Sequence, residues 1–256
     1  MTFGYLVVEG THDVAFIGRL LRTFGLRRVK LLKDLQPFWK PLVPPTFPFK
    51  DDLLKRVPVP AFFEGADHSV AVDSAVGVAR LTPALEETLA QLGSARSELR
   101  SIGMFLDADW SKKPSDAFDE LKAKLEFFGV VMPAAPGMVA QGSIRTGIYI
   151  FPDNQSSGTL ETLLDECALA AYPGLRAAGR NLVDGINRAQ LTRDDLQELA
   201  APSGEVKAVM GCISSVLKPM RAIQNSIEDN RWVSDETLTL ANVQSVKNFL
   251  EQLLLQ

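Results

Sequence analysis

The sequence is poor in cysteine and histidine, with two residues of each among its 256. Cys167 and Cys212 lie far apart, each among residues with a helical pattern, so they indicate neither a zinc ribbon nor a disulfide framework. We expect both thiols to be buried. His12 and His68 form no recognisable Ser-His-Asp set, and we interpret His12 as a turn residue, although it lies close to Glu9.

Long apolar runs are absent as well. No stretch reaches the roughly 20 apolar residues that a membrane-spanning helix needs. The sequence opens on a strand-like pattern rather than on the basic and apolar segments of a secretory signal. We therefore expect a cytoplasmic protein that does not associate with membranes. The hydrophobic content of 46% can support a sizeable core, in one large domain or in one domain with an appendage.

Positive charge is not in excess, because the formal net charge is −4. This balance argues against nonspecific binding of nucleic acid through the whole surface, although bound cations would offset acidic ligands. A local basic cluster lies near the first predicted helix and second predicted strand, and we interpret it as a solvated face that keeps a phosphate-binding surface open. Its members are Arg19, Arg22, Arg27, Arg28, Lys30 and Lys33.

The segment Ile102–Trp110 combines an apolar run with two carboxylates at its end. The run reads as a buried strand, where an anion would have no water to solvate it, so the charges belong at the strand's end. Residues two apart on a strand project to the same side, so Asp107 and Asp109 can point into one small volume. Hard divalent cations such as Mg²⁺ take carboxylate oxygens as ligands. The D-x-D sequence therefore predicts a metal cradle.

A second apolar strand pattern ends in an acid at Tyr5–Gly10, where Glu9 precedes Gly10. The glycine permits a tight turn, and Thr11 can cap a helix that carries an apolar face from Asp13 to Phe24. Ligands of open α/β sheets collect at the carboxyl ends of strands. Glu9, Asp107 and Asp109 are therefore expected to converge there.

These two motifs resemble the Toprim domain that topoisomerases, primases and several nucleases share. In that pattern an apolar strand ends in glutamate and glycine, here Leu6–Gly10, and a later apolar strand ends in D-x-D, here Met104–Asp109. The resemblance covers about two-thirds of the chain by the usual size of a domain. It implies an α/β fold with a mostly parallel sheet flanked by helices, and it extends to uncharacterised bacterial Toprim-like proteins.

The resemblance implies phosphodiester hydrolysis of nucleic acid, DNA or RNA, with Mg²⁺ or Mn²⁺ as the cofactor. Asp107 and Asp109 would bind the metal, and Glu9 would be a further ligand or the general acid/base catalyst. Asp13 and Glu161 fall where nucleases of the overcoming-lysogenization-defect (OLD) type carry additional acidic ligands. Each also has a structural interpretation, as an acid that the first turn of a helix favours.

Several lysines are candidates for binding phosphate. Lys112 and Lys113 lie close to the D-x-D motif and just before a predicted helix beginning at Asp116, where backbone donors favour anions. A solvated turn is the alternative interpretation. Lys207 and Lys218 are further candidates on the ground of their charge alone.

Other Toprim relatives fit less well. Tyr5, Tyr149 and Tyr172 are the tyrosines available for a topoisomerase nucleophile, and two of them lie in predicted strands. Two cysteines cannot build a primase zinc module, and no G-x-x-x-x-G-K-[ST] motif indicates an ATPase. A stand-alone nuclease remains. The alternative is a non-catalytic Toprim-like module that binds nucleotide, nucleic acid or a protein partner.

We predict two parts of the chain. Residues 1–167 would form the Toprim-like α/β domain, interrupted by a proline-rich insertion at residues 37–60 in which regular structure is disfavoured. Residues 168–256 would form a helical C-terminal extension packed on that domain, since apolar residues recur there at helical spacing.

Overall fold

The computed structural model describes residues 1–46, 59–110, 112–127 and 130–256. These residues form a seven-stranded sheet in the order β2-β3-β4-β1-β5-β7-β6. The four central strands run parallel, whereas β2, β3 and β6 run antiparallel to neighbouring strands. The strands are β1 (Thr2–Val8), β2 (Arg27–Arg28), β3 (Ala61–Glu64), β4 (His68–Ser74), β5 (Leu99–Asp107), β6 (Val139–Ala140) and β7 (Arg145–Phe151). The predicted α/β class with a mostly parallel sheet is confirmed.

Helices cover the sheet on both sides. The α-helices within the described residues are α1 (Thr11–Thr23), α2 (Leu81–Leu92), α3 (Pro114–Phe127), α4 (Leu160–Ala171), α5 (Pro173–Asp184), α6 (Arg193–Ala200), α7 (Gly204–Leu217), α8 (Ile223–Asp229) and α9 (Ala241–Leu254). None of these helices is long and apolar enough to cross a membrane.

Alternate residues of β1 enter two different hydrophobic cores. Leu6 and Val8 pack into a core with α1, α4, α7 and α9, whereas Tyr5 and Val7 pack into a core with α2 and α3. This alternation is expected for a strand that is buried on both faces. The first core joins residues on both sides of position 167, and the predicted domain boundary at 167/168 falls inside α4.

Glycines let α9 lie close to the sheet. Gly103 of β5 is paired with Gly147 of β7 across the ladder. A Cβ atom at Gly147 would lie 2.6 Å from the ring of Phe249, and one at Gly103 would lie 2.6 Å from Leu253. The two glycines therefore form a shallow groove into which α9 inserts its side chains.

The proline-rich insertion is partly ordered into the core. Residues Pro37–Leu42 form a 3₁₀ helix, and Phe38 and Trp39 are buried among residues of the second core. The indole N–H of Trp39 donates a 2.8 Å hydrogen bond to Ser69 Oγ. The prediction that the insertion lacks long regular elements holds for these residues, while residues 47–58 lie outside the described residues.

Some local predictions were wrong. Gly10, not Thr11, is the N-cap of α1, because Thr11 already has helical geometry. The alternation of basic and apolar residues predicts a second strand over residues 27–32, but the strand is limited to Arg27–Arg28, and a 3₁₀ turn begins at Leu32. Cys167 is buried as expected, but Cys212 is only half-buried. The strand β3 and the helices α5 and α8 were not anticipated.

Candidate functional site

Parallel pairing brings the acidic strand ends together. Val7 of β1 pairs with Met104 of β5, so the two strands run side by side toward the same edge of the sheet. Glu9 follows β1 directly, and Asp107 is the last residue of β5. The connection from β7 returns at this edge and begins α4, whose second residue is Glu161. The predicted meeting of acids at the carboxyl edge is present in this geometry.

Backbone amides link these strand ends through carboxylates. The amide of Asp107 donates a 2.7 Å hydrogen bond to Glu9 Oε1. The amide of Leu160, at the start of α4, donates a 2.8 Å hydrogen bond to Asp107 Oδ1. The positive end of the α4 dipole therefore faces the Asp107 carboxylate, which stabilises negative charge there. One chain of contacts thus joins β1, β5 and α4.

Asp13 lies in the first turn of α1 and is buried. Its Oδ2 accepts a 2.8 Å hydrogen bond from the amide of Gly10, so the structural interpretation as a helix-capping acid is correct. Burial raises its pKa to about 7, and the charges of Glu9 and Glu161 act in the same direction. Asp13 is therefore both a cap and a member of the acidic cluster.

Glu161 lies at the second position of α4, because Thr159 is the N-cap. Its Oε1 is 3.5 Å from Nδ1 of His12, so His12 contacts the cluster instead of serving only as a turn residue. Burial pushes the pKa of Glu161 upward, but the contact with His12 and the charge of Lys207 outweigh it and the pKa is lowered. Glu161 is therefore the acid of the cluster that keeps its charge most readily.

The other central acids are disfavoured as anions. Burial raises the pKa of Glu9, and the charges of Asp109 and Glu161 raise it further against the opposing hydrogen bond from Asp107. Burial also holds the pKa of Asp107 well above its usual range, with added repulsion from Asp13, Glu9 and Glu161. Removing carboxylates from water beside one another is unfavourable unless positive charge compensates.

Asp109 has a different setting from the one that its spacing predicted. Because β5 ends at Asp107, the two-residue period of a strand does not extend to Asp109, which has a positive φ of 55°. Its backbone forms an isolated bridge with Gly158, through hydrogen bonds of 3.1 and 3.3 Å. The side chain is exposed, yet its charge raises the pKa of Glu9. Asp109 therefore borders the cluster at its solvent side.

The lysine whose charge lowers the pKa values of the acids is not one of the two near the D-x-D motif. Lys112 forms a 2.7 Å ion pair with Glu120, and Lys113 is exposed. The cation whose charge lowers the pKa of both Glu9 and Glu161 is Lys207 of α7. Only tertiary packing brings Lys207 here, so the sequence offered no signal beyond its charge. Lys218 forms a 2.9 Å ion pair with Asp229 instead.

The donor set is one that suits a hard divalent cation. Glu9, Asp13 and Asp107 each direct one carboxylate oxygen to a backbone amide, and hydrogen bonds within the described residues leave the second oxygen of each unengaged. Such oxygens, with Glu161 and Asp109, match the ligands of Mg²⁺ and Mn²⁺. Across the described residues, no three His, Cys, Asp or Glu side chains already surround a common point, so binding would require carboxylate rotations.

Comparison with known proteins places the chain in a family. No match is found among curated protein sequences. The crystal structure of a hypothetical protein from Pyrococcus horikoshii OT3 is similar, with a TM-score of 0.56 at 18% identity over 99% of this chain and 95% of the other, which shows a shared fold. Residues 4–255 match the family described as "Protein of unknown function (DUF3226)". The chain therefore belongs to the DUF3226 family.

Proposed function

We propose that this protein is a metal-dependent nuclease of the Toprim type, which hydrolyses phosphodiester bonds of nucleic acid with Mg²⁺ or Mn²⁺. The observation that carries the proposal is the cluster of Glu9, Asp13, Asp107 and Glu161 at the carboxyl edge of the parallel strands. Three of these acids have raised pKa values because burial and mutual repulsion disfavour their charged forms. A site that concentrates unfavourable negative charge in this way suits a bound cation.

Each residue of the cluster has a proposed role in binding metal, carrying a proton or binding phosphate. Asp107 and Glu9 would hold a divalent cation, and Asp13, Glu161 and Asp109 are the candidates for a second. Such a cation supplies Lewis-acid charge for a phosphate oxygen and an activated water. Glu9 can instead carry a proton, since its raised pKa brings it nearer to neutral pH. Lys207 is the candidate for binding phosphate, and Lys112 is less suited because it is paired with Glu120.

A second candidate function is a non-catalytic module that binds nucleotide, nucleic acid or a protein partner. The observation that favours it is that Glu9, Asp13 and Asp107 each already accept a hydrogen bond from a backbone amide. The formal net charge of −4 also limits binding of nucleic acid to local surfaces. For either function we propose a cytoplasmic location, which suits a chain whose two cysteines are free thiols.

The test compares Asp107→Asn with the wild type. The amide keeps the shape and an oxygen that can accept from the Leu160 amide, but it removes one ligand charge. We expect Asp107→Asn to abolish Mg²⁺- or Mn²⁺-dependent cleavage of labelled DNA and RNA. Without metal it should melt at or above the wild-type temperature, because repulsion within the cluster is relieved. It should also lose the stabilisation that metal gives the wild type.

Asp119→Asn is the matched control, since it makes the same charge change on the exposed side of α3. We expect this variant to cleave and to bind metal as the wild type does. If wild-type protein neither gains stability from metal nor cleaves any nucleic acid, the nuclease proposal fails and the binding module is favoured.

A further inference from the structure

The three tryptophans have different environments. Trp39 and Trp232 are fully buried, and their indole N–H groups donate hydrogen bonds of 2.8 Å to Ser69 and 2.9 Å to Ser226. Trp110 is 49% exposed. A large aromatic side chain that meets solvent is a common element of binding surfaces, because its apolar faces gain from being covered.

Trp110 is held beside the acidic cluster. It follows Asp109, whose charge acts on Glu9 and whose backbone is bonded in both directions to Gly158. Consecutive Cα atoms are about 3.8 Å apart, so the Cα atom of Trp110 lies at this distance from that of Asp109. The bridge therefore fixes the backbone one residue before Trp110.

A second apolar group flanks the cluster on the β4 side. The loop after β4 is tied to the end of β1, since the amide of Gly77 donates a 3.0 Å hydrogen bond to the carbonyl of Glu9. In that loop Val76 is 77% exposed and Val78 is 52% exposed. Val76 has a φ of 59°, a conformation that β-branched residues rarely adopt. Apolar side chains thus face solvent on both sides of Glu9.

We propose that Trp110 is a stacking platform for a nucleobase, so that the ligand of the acidic site is nucleic acid with unpaired bases. A free phosphate would gain nothing from an exposed indole, whereas each base of a single strand has a π-face that stacks on an aromatic ring. Bases inside a duplex are already stacked and are not available for this contact. The inference rests on the proposed function, whose substrate class it narrows.

The buried pair of tryptophans makes the emission of Trp110 measurable. Acrylamide should quench mainly Trp110, and Trp110→Phe should remove that accessible fraction. We then titrate the wild type with unlabelled oligothymidylate and with a blunt-ended duplex of equal length, using Ca²⁺ so that binding can be followed without turnover. The single strand should quench the accessible emission, and the duplex should not. A single strand that saturates the protein without changing the emission would overturn the proposal.

Affinity supplies an independent readout. In anisotropy measurements with a dye-labelled oligothymidylate, Trp110→Ala should bind at least about tenfold more weakly than the wild type. Trp110→Phe keeps a ring and should lose less affinity. Leu182→Ala is the control, since it removes an exposed apolar side chain from α5, and it should bind as the wild type does. Unchanged affinity of Trp110→Ala, or no detectable binding of any oligonucleotide, would overturn the proposal.

The two proposals can fail separately. Quenching and Trp110-dependent binding without cleavage in Mg²⁺ or Mn²⁺ would support the stacking platform and refute the proposed nuclease activity. Cleavage that Trp110→Ala leaves unchanged, with no quenching on binding, would support the nuclease and remove the stacking platform.

Discussion

The carboxylate of Glu9 accepts a 2.7 Å hydrogen bond from the backbone amide of Asp107, so the side chain that follows β1 is bonded to the last residue of β5. Both residues have raised pKa values, and burial is the first cause for each. The contact therefore has two opposite effects. It satisfies a backbone donor that would otherwise be left near the sheet edge, and it brings two acids close together.

Two variants of Glu9 separate these effects. Glu9→Gln keeps an oxygen that can accept from the Asp107 amide, whereas Glu9→Ala leaves that donor without its partner. Both remove the charge. We expect Glu9→Ala to be less stable than Glu9→Gln by about 1–3 kcal/mol in the free energy of unfolding. Denaturant unfolding in EDTA near neutral pH measures the difference, and equal stabilities would show that the hydrogen bond adds little.

The stability of the metal-free protein should depend on pH through Asp13. Its pKa is about 7 in the folded protein, above the ordinary value of 3.8, so folding favours the protonated form. The stabilisation is complete below the unfolded pKa and is lost as the pH rises through about 7. Glu9 and Asp107 shift in the same direction. Melting temperatures in EDTA should therefore rise as the pH falls from about 8 to about 5.

Asp13→Asn tests this assignment, because the amide keeps an acceptor for Gly10 and cannot ionise. The melting temperature of the variant should depend less on pH than that of the wild type. For the wild type, the stabilisation by added metal should be larger at about pH 8 than at lower pH. Each unit of pKa shift corresponds to about 1.4 kcal/mol, so the effect is measurable. A wild type whose melting temperature stays constant over this pH range would contradict the assignment.

Lys207 and Lys218 form a matched pair of lysines. The charge of Lys207 lowers the pKa values of Glu9 and Glu161, whereas Lys218 forms an ion pair with Asp229. If nucleic acid binds at the acidic cluster, Lys207→Ala should weaken its affinity and reduce the slope of log K against log salt by about one. Lys218→Ala should leave both nearly unchanged. Equal losses in the two variants would indicate a diffuse electrostatic effect instead of a phosphate contact at Lys207.

Two glycines in contrasting positions test the packing of α9. A methyl group at Gly147 would meet the Phe249 ring at 2.6 Å and the carbonyl of Met138 at 3.2 Å. Gly147→Ala should therefore lower the free energy of unfolding by about 1–3 kcal/mol. Gly211 lies within α7 with nothing inside 4 Å of the added carbon, so Gly211→Ala should raise it by roughly 0.5–1 kcal/mol. Chemical denaturation of both variants checks the contrast.

Patterns confined to a short segment predicted much of the fold. The apolar strands before Glu9 and Asp107 were identified correctly because an uninterrupted run of apolar residues is typical of buried parallel strands. The strand β3 was missed because its four residues directly follow the proline-rich stretch. The helix α5 was missed, although it begins at Pro173 and proline is well suited to the first position of a helix.

The candidate site was less predictable, since part of it depends on tertiary packing. Glu9 and Asp107 were identified from strand ends, but the role of each backbone amide as a donor to them could not be read from spacing. Asp109 was expected on the face of a strand that in fact ends at Asp107. The charge of Lys207 acts on Glu161 because α7 packs beside α4, and no local sequence pattern marks this lysine.

The strand β1 precedes in the chain both of the strands that flank it. Its residue Thr2 pairs with His68 of β4, and Val7 pairs with Met104 of β5. Parallel pairing between such distant segments slows folding, because the chain loses the entropy of loop closure before the stabilising contacts between the strands form. During synthesis, β1 therefore stays unpaired until β4 has emerged, its other edge stays open until β5 has emerged, and α9 covers the sheet only later. We expect the strand that leads to Glu9 to be the segment of the nascent chain most prone to aggregation.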